Sequence, residues 1–193
     1  MSDLQRLKAA FGLGARATGL PSAARASVAA VFRAGDAGTE LLFIERATRK
    51  GDPWSGHMAL PGGRVDPDDA DSHATALRET WEEIGLDLTD AQSLGQLDDL
   101  DGRRRQIVVS AHGYWLDGPR PALVTNHEVA DTMWIPLTEL YNPEAFISYD
   151  YPDLAGQTFP GIRIHGDRVI WGLTLRILVD LFARLDQPFL VLD

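Results

Sequence analysis

The 193-residue chain has no cysteine. Disulfide staples, thiol nucleophiles and thiolate metal sites are therefore excluded. No apolar run is long enough to span a membrane, and a cytoplasmic location is expected. Positive charge is scarce: 18 Lys and Arg stand against 28 Asp and Glu, a net charge of −10. That balance argues against general binding to nucleic acid, yet it allows a small anionic substrate gripped by local arginines. There is no G-x-S-x-G elbow of a nucleophilic hydrolase, no internal repeat and no low-complexity tract.

What is present suits one folded unit. With 45% hydrophobic residues the chain can bury a sizeable core without splitting. The acid-poor start, with Arg6, Lys8, Arg16 and Arg25, has the composition of a transit peptide. Leu4, Leu7 and Phe11 on one side favour an ordinary amphipathic helix instead. Residues 1–25 thus read as helix plus linker, and 26–193 as a single domain. Strands are expected at Ser27–Ala34 and Glu40–Ala47, and near "SLGQLDDL", "RQIVVSAHGYWL" and "VADTMWIPL". A last helix is expected from Ile170, with Leu173, Ile177, Leu181 and Leu185 on one side and Arg176, Asp180 and Arg184 on another.

The most informative stretch is "ALRETWEEIGL", Ala76–Leu86. Its residues are good helix formers, Asp71 or Ser72 can cap its start, and Gly85 can end it. A stripe of Leu77, Thr80, Trp81 and Ile84 should face the core, leaving Glu79, Glu82 and Glu83 opposite, with Arg78 at the edge. Such a face is a solvated acidic surface or, in a cleft, a site for a hard divalent cation. Upstream, "LPGGR" (Leu60–Arg64) is a tight turn whose glycines permit close backbone approach.

Gly-rich turn, acidic loop and Arg-Glu…Glu-Glu helix together resemble the Nudix box, G-x5-E-x7-R-E-U-x-E-E-x-G-U. Arg78, Glu79, Glu82, Glu83, Gly85 and Leu86 match its second half. The first half departs. Ala70 stands where the box has Glu, Arg64 stands where it has Gly with Gly63 one residue back, and Thr80 replaces the aliphatic U. The loop is one residue longer, and its acid is Asp69 or Asp71. In the family this acid orients the helix arginine.

The loop length is similar to that of the coenzyme A pyrophosphatase branch, L-L-T-x-R-[SA]-x3-R-x3-G-x3-F-P-G-G. "LLFIERATRKGDPWSGHMALPGG" matches it at Arg46, Ala47 and Gly56. Asp52 stands in place of the second arginine, Arg49 and Lys50 are nearby, and Leu60 replaces the phenylalanine. "VIWGLTLRIL" resembles the Trp-Gly-x-Thr that opens that branch's last helix.

The resemblance implies an α/β/α sandwich with a mixed sheet. It also implies Mg2+ or Mn2+ held by Glu79, Glu82, Glu83 and the Gly63 carbonyl. Arg78 would orient a glutamate, and Glu82 or Glu128 would serve as general base. Substrate contacts are expected from Arg46, Arg49, Lys50, His57 and Gly62, with Trp54 able to stack on a ring. His112, His127 and His165 lack metal-ligand spacing. The implied substrate is a nucleoside diphosphate derivative, coenzyme A or its derivatives first, then dinucleotides, nucleotide sugars or nucleoside triphosphates. A binding-only Nudix domain that regulates through a nucleotide is the rival reading. A homodimer is compatible with either; no nucleic-acid or membrane partner is implied.

Overall fold

The computed structural model describes residues 1–13, 24–49, 55–102, 107–151 and 156–187. Its elements run in the order α1 (Asp3–Gly12), β1 (Ala24–Gly35), β2 (Gly38–Arg46), β3 (Met58–Ala59), β4 (Gly62–Arg64), α2 (Ser72–Ile84), β5 (Gln92–Gln96) and β6 (Leu100–Asp101). They continue with β7 (Ile107–Leu116), β8 (Val129–Pro136), α3 (Leu137–Leu140), β9 (Phe146–Asp150), β10 (Thr158–Arg163), β11 (Val169–Trp171) and α4 (Gly172–Arg184).

The centre is β1. It runs parallel to β7 from Ala24↔Ile107 to Arg33↔Leu116, and antiparallel to β2 and β4. β5 and β6 add to β7, and β3 and β8 add to β2, all antiparallel. The sheet is therefore mixed, and it is buried on both faces. Along β1, Ala30 and Phe32 enter the larger core with α1 and α4, while Ala29 and Val31 enter the smaller core under α2. Leu41 and Phe43 divide from Leu42 and Ile44 in the same way. Burial of both faces explains why these strands read as nearly continuous apolar runs. The outcome is an α/β/α sandwich.

α1 is fixed into this core. A capping box starts it: Gln5 N–H donates to Ser2 Oγ at 3.3 Å, and Ser2 N–H donates to Gln5 Oε1 at 2.9 Å. Leu7 and Phe11 are buried, and the Phe11 ring meets Phe32 edge-on at 5.9 Å. Gly113 makes room for it, because a Cβ there would lie 2.6 Å from the Phe11 ring. At the far end, Arg184 of α4 donates to Ala10 O and pairs with Asp98 at 2.7 Å.

Two helices depart from the expected pattern. α2 is rotated so that Ala76, Thr80, Glu83 and Ile84 face inward, whereas Trp81 is 59% exposed. Thr80 is tolerated because its hydroxyl donates to Ala76 O at 2.7 Å. Glu83 is not on the outer acidic face at all. α4 begins at Gly172 rather than Ile170, because Val169–Trp171 pair with β10 in a second, three-stranded antiparallel sheet. Its core side is Leu175, Ile177, Leu178, Leu181 and Phe182, and Leu173 is only half-buried. Arg184 and Asp180 do pair at i, i+4 spacing. Among the described residues, no helix is long and apolar enough to cross a membrane.

Removing the Phe11 ring should leave a cavity between α1 and the sheet. Phe11→Ala is expected to lower unfolding stability by about 3–5 kcal/mol in urea titrations. An unchanged midpoint would mean that α1 contributes nothing to the core.

Candidate active site

The site begins at the Leu60–Arg64 turn. β4 lies so close to β1 that a Cβ on Gly62 would stand 2.3 Å from Ser27 O, and Gly62 holds φ +153°. Only glycine fits that approach. The turn's backbone then meets the helix. Gly62 N–H donates to Glu83 Oε2 at 2.8 Å. Gly63 lies flat against Glu79, where an added Cβ would sit 2.3 Å from the carboxyl carbon. Two glycines thus bring main chain into contact with two of the three expected acids.

Arg78 joins loop, turn and helix. Its Nε and Nη2 donate to Asp69 Oδ1 and Oδ2 at 2.9 and 2.8 Å, a bidentate pair. Nη2 also donates to Arg64 O at 3.1 Å. Nη1 donates to Glu79 at 3.0 Å and to Glu82 at 3.1 Å. These contacts use all five N–H donors of a guanidinium. Asp69 further accepts from Thr75 Oγ1 and from Asp66 N. The Arg78 hydrogen bonds hold its carboxyl well below the usual carboxylate range, against the opposing effect of burial. Arg78 is raised in turn, first by Asp69. Of the two loop acids, therefore, Asp69 holds the arginine. Asp71 caps α2 by accepting from Ala74 N at 2.8 Å, and Gly85, at φ +64°, closes the helix.

The acids differ in setting. Glu83 is 2% exposed; burial, and then the Glu79 and Glu128 charges, push its carboxyl up to about 7, while the Gly62 N–H and Arg46 oppose the rise. Glu79 is raised too, chiefly by burial, with the Glu82 and Glu128 charges adding and Arg78 opposing. Glu82 is about half exposed. Glu128 comes from the loop before β8 and meets Arg49 at 3.1 Å. Asn126, which sequence reasoning missed, sets that loop: its N–H donates to Glu83 O at 2.8 Å and its Oδ1 accepts from Glu128 N at 2.7 Å. Its signal was the Asx turn latent in "NHE".

Of the substrate candidates, Arg46, Arg49 and His57 fall at the same end of the sheet. Arg46 and His57 are joined by Arg46 N–H donating to His57 O at 3.0 Å. The His57 ring packs edge-on against Tyr151 and Trp171. Arg49 faces Glu128 and also donates to His127 O. Lys50, Asp52 and Trp54 lie outside the described residues. His112 is buried against Ser72 (2.9 Å), and burial, aided by His73, lowers its pKa to about 4. His127 and His165 each approach a glutamate, at 4.0 Å (Glu128) and 3.4 Å (Glu139).

The NUDIX domain model matches residues 23–153. The chain belongs to the Nudix hydrolase family. It is 37% identical over 111 residues to the uncharacterized protein C14C4.10c of Schizosaccharomyces pombe, covering 54% of this chain and 34% of that protein. It is 30% identical over 152 residues to the mitochondrial coenzyme A diphosphatase NUDT8 of Mus musculus, covering 77% of this chain and 71% of that protein. The chain thus spans about a third of the first relative's length and just over two thirds of the second's. The NUDIX domain of Shewanella oneidensis NrtR, solved with ADP ribose, shares the fold: the TM-score is 0.55 at 17% identity, over 85% of this chain and 89% of that one.

Nudix hydrolases generally use divalent metal ions. The donor chemistry here fits one, because Glu79, Glu82 and Glu83 are hard oxygen ligands and two of them are crowded and desolvated. Among the described residues no three such groups converge as a ready-made cage. In the structure Arg78 holds Glu79 and Glu82, and the Gly62 N–H holds Glu83.

The Asp69–Arg78 pair makes a pH prediction. A carboxyl whose folded pKa is depressed adds stability above its ordinary value of 3.8, and that stability is lost as pH falls through the folded value. Asp69→Asn should therefore cost roughly 2 kcal/mol at pH 7, less than the ~3–5 of a fully buried pair because Arg78 stays partly exposed. In denaturant titrations the gap between parent and variant should begin to narrow only below pH 3.8 and should close as pH falls through the depressed folded value, well below pH 3. A constant gap across that range would exclude an ionic role for Asp69.

Proposed function

We propose that this Nudix hydrolase is a metal-dependent pyrophosphohydrolase that cleaves the diphosphate linkage of a nucleoside diphosphate derivative, coenzyme A or a coenzyme A derivative foremost. The observation that carries the reading is the intact acid set: Arg78, with every donor engaged, aligns Glu79 and Glu82 beside a turn that binds Glu83. A domain that only binds nucleotide has no need to confine three carboxylates at that cost. Coenzyme A is favoured by the similarity to the mouse diphosphatase and by the Arg46–Ala47 pair, followed by Gly56.

In this reading Glu79, Glu82, Glu83 and the Gly63 carbonyl hold Mg2+ or Mn2+. When bound, the ion neutralises diphosphate oxygens and lowers the pKa of a coordinated water. The chain's own residues do the rest. Arg78 positions Glu79 and Glu82. Glu128 or Glu82 accepts the proton as the water oxygen bonds to phosphorus and the bridging P–O bond breaks. Arg46, with its charge directed at Glu83, lies next to where the phosphates bind. Arg49 sits on Glu128, so it acts on that carboxylate as well as on substrate.

The deciding experiment is phosphate-product release from coenzyme A, dinucleotides, nucleotide sugars and nucleoside triphosphates, with Mg2+ or Mn2+ and then with chelator. Coenzyme A should give the highest kcat/KM, and chelation should abolish turnover. Absence of turnover on every compound would end the enzymatic reading; preference for another compound would end the coenzyme A assignment.

Glu83→Gln separates catalysis from folding. We expect kcat to fall by about 100-fold or more, the usual scale for an essential site group. Stability should move the other way. A carboxyl with a raised folded pKa destabilises the fold as pH climbs from 4.5 toward about 7. With chelator at pH 8 the glutamine, which still accepts from Gly62 N–H, should stabilise the protein by up to about 3 kcal/mol, with the gain vanishing below pH 4. Near-full turnover at saturating metal would remove Glu83 from the site.

Glu128→Gln should lower kcat at saturating metal while leaving the metal concentration for half-maximal rate unchanged. Unchanged kcat would pass the role of base to Glu82.

A further inference from the structure

The second sheet carries an aromatic face that the hydrolytic machinery does not use. In β9–β11, Phe146, Ile162 and Ile170 pack toward the larger core. The opposite face holds Tyr149 directly across the ladder from Phe159, with Trp171 across from Gly161 and Tyr151 continuing the alternation from Tyr149. A half-solvated antiparallel sheet ordinarily shows polar residues on that side. Here the rings gather round Trp171, with centroids at 4.6 Å for Tyr151, 5.2 Å for Phe159, 5.5 Å for Tyr149 and 4.8 Å for His57. Their planes are tilted by 35° to 66°, so they do not close face to face on one another. All five residues are partly exposed, although Nε2 of the His57 ring is buried.

This face is continuous with the hydrolytic site. β11 packs beside β3, and His57 opens the segment that runs through β3 to the glycine turn. Gly62 follows His57 by five positions, a reach of at most about 18 Å. Arg168, in the turn between β10 and β11, pairs with Glu45 and Asp131 at 2.7 Å each, which fixes the small sheet to the ends of β2 and β8 near Glu128. A nucleoside diphosphate needs a π-surface for its base at one end and charge compensation for its phosphates at the other. Both lie on this one edge of the molecule.

We propose that the face formed by Tyr149, Tyr151, Phe159 and Trp171, bordered by His57, is the subsite that stacks the nucleobase of the substrate. The inference rests on the reading of the chain as a nucleoside diphosphate hydrolase and adds where the base is held. Stacking accepts any base, because every base presents a π-face. The subsite therefore sets affinity for the nucleoside half and leaves the chemistry at phosphorus untouched.

The test uses the full chain in Mg2+ and two probes, ADP and inorganic pyrophosphate, which lacks a base. Calorimetric titrations compare the parent with Tyr149→Ala, Tyr151→Ala and Tyr151→Phe, each first shown to melt like the parent. The alanine variants should bind ADP about 5- to 100-fold more weakly while pyrophosphate binding holds, and Tyr151→Phe should stay within about twofold of the parent. ADP should quench tryptophan emission in the parent, and Trp171→Phe should lose most of that quench. With a hydrolysed nucleotide substrate the alanine variants should raise KM and keep kcat.

Equal ADP affinity in all variants, or equal loss of ADP and pyrophosphate, overturns the proposal. So does a parent that binds no ADP, or a face whose substitution changes only the oligomeric state in sedimentation. Failure here while hydrolysis still depends on Glu83 leaves the hydrolase reading standing. Absence of hydrolysis across the substrate panel fails that reading, whatever the aromatic variants do.

Discussion

The site depends on one guanidinium. Arg78 belongs to α2, but its partners come from three places: Asp69 in the preceding loop, Arg64 O at the end of the glycine turn, and Glu79 and Glu82 on its own helix. The loop is one residue longer than the standard box, and that is tolerated because Asp69 still meets the guanidinium with both oxygens. A lysine would not replace this arginine. It offers three donors from one point, whereas the arrangement needs a planar fork facing one carboxylate and a second nitrogen facing two others.

The price of this arrangement is carboxylates kept close together in a poorly solvated place. At about 5 Å and an effective dielectric near 20, two such charges repel by roughly 3 kcal/mol. The protein answers in two ways. Arg78 draws the Glu79 pKa down while Glu82 and Glu128 push it up, and burial decides the direction. Among the described residues the Glu83 carboxylate accepts a close hydrogen bond from Gly62 alone, and burial overrides it. The glycines are therefore more than a flexible turn. Gly62 supplies the N–H that accompanies Glu83 into the interior, and Gly63 is bare so that Glu79 can stand against the main chain.

Much of this was legible in the sequence because it is local. The Arg-Glu…Glu-Glu spacing, the Gly-Gly turn, the Gly85 stop and the apolar runs of β1 and β2 each declare themselves within a dozen residues. What was not legible depends on tertiary placement. Periodicity put Trp81 inside and Glu83 outside, since it scores side chains by polarity. The structure rotates the helix because Gly62 N–H needs an acceptor and Thr80 can satisfy its own hydroxyl against Ala76 O. Choosing Asp69 over Asp71 required the loop's path, since the two are equivalent by spacing. The second sheet was missed because its strands are short and mix polar with aromatic residues. The approach of Trp171 to His57 joins parts of the chain that no local pattern links.

Charge bookkeeping over the whole molecule returns to the chemistry. A chain of net charge −10 proposed to bind a diphosphate must find positive potential somewhere. Most arginines near the sheet ends are already committed: Arg33 and Arg120 to Glu40, Arg168 to Glu45 and Asp131, Arg25 to Asp99, Arg49 to Glu128, and Arg78 to Asp69, Glu79 and Glu82. Each pair cancels most of its own field beyond a few ångströms. Substrate phosphates approaching Glu79, Glu83 and Glu128 would add negative charge to a place where carboxyl pKa values are already driven upward. Charges of like sign share such a site only when one of them takes up a proton or a charge of opposite sign lies between them. On the proposed reading, the same excess acid that weakens the metal-free site would make divalent cation and diphosphate mutually dependent ligands, each raising the affinity of the other.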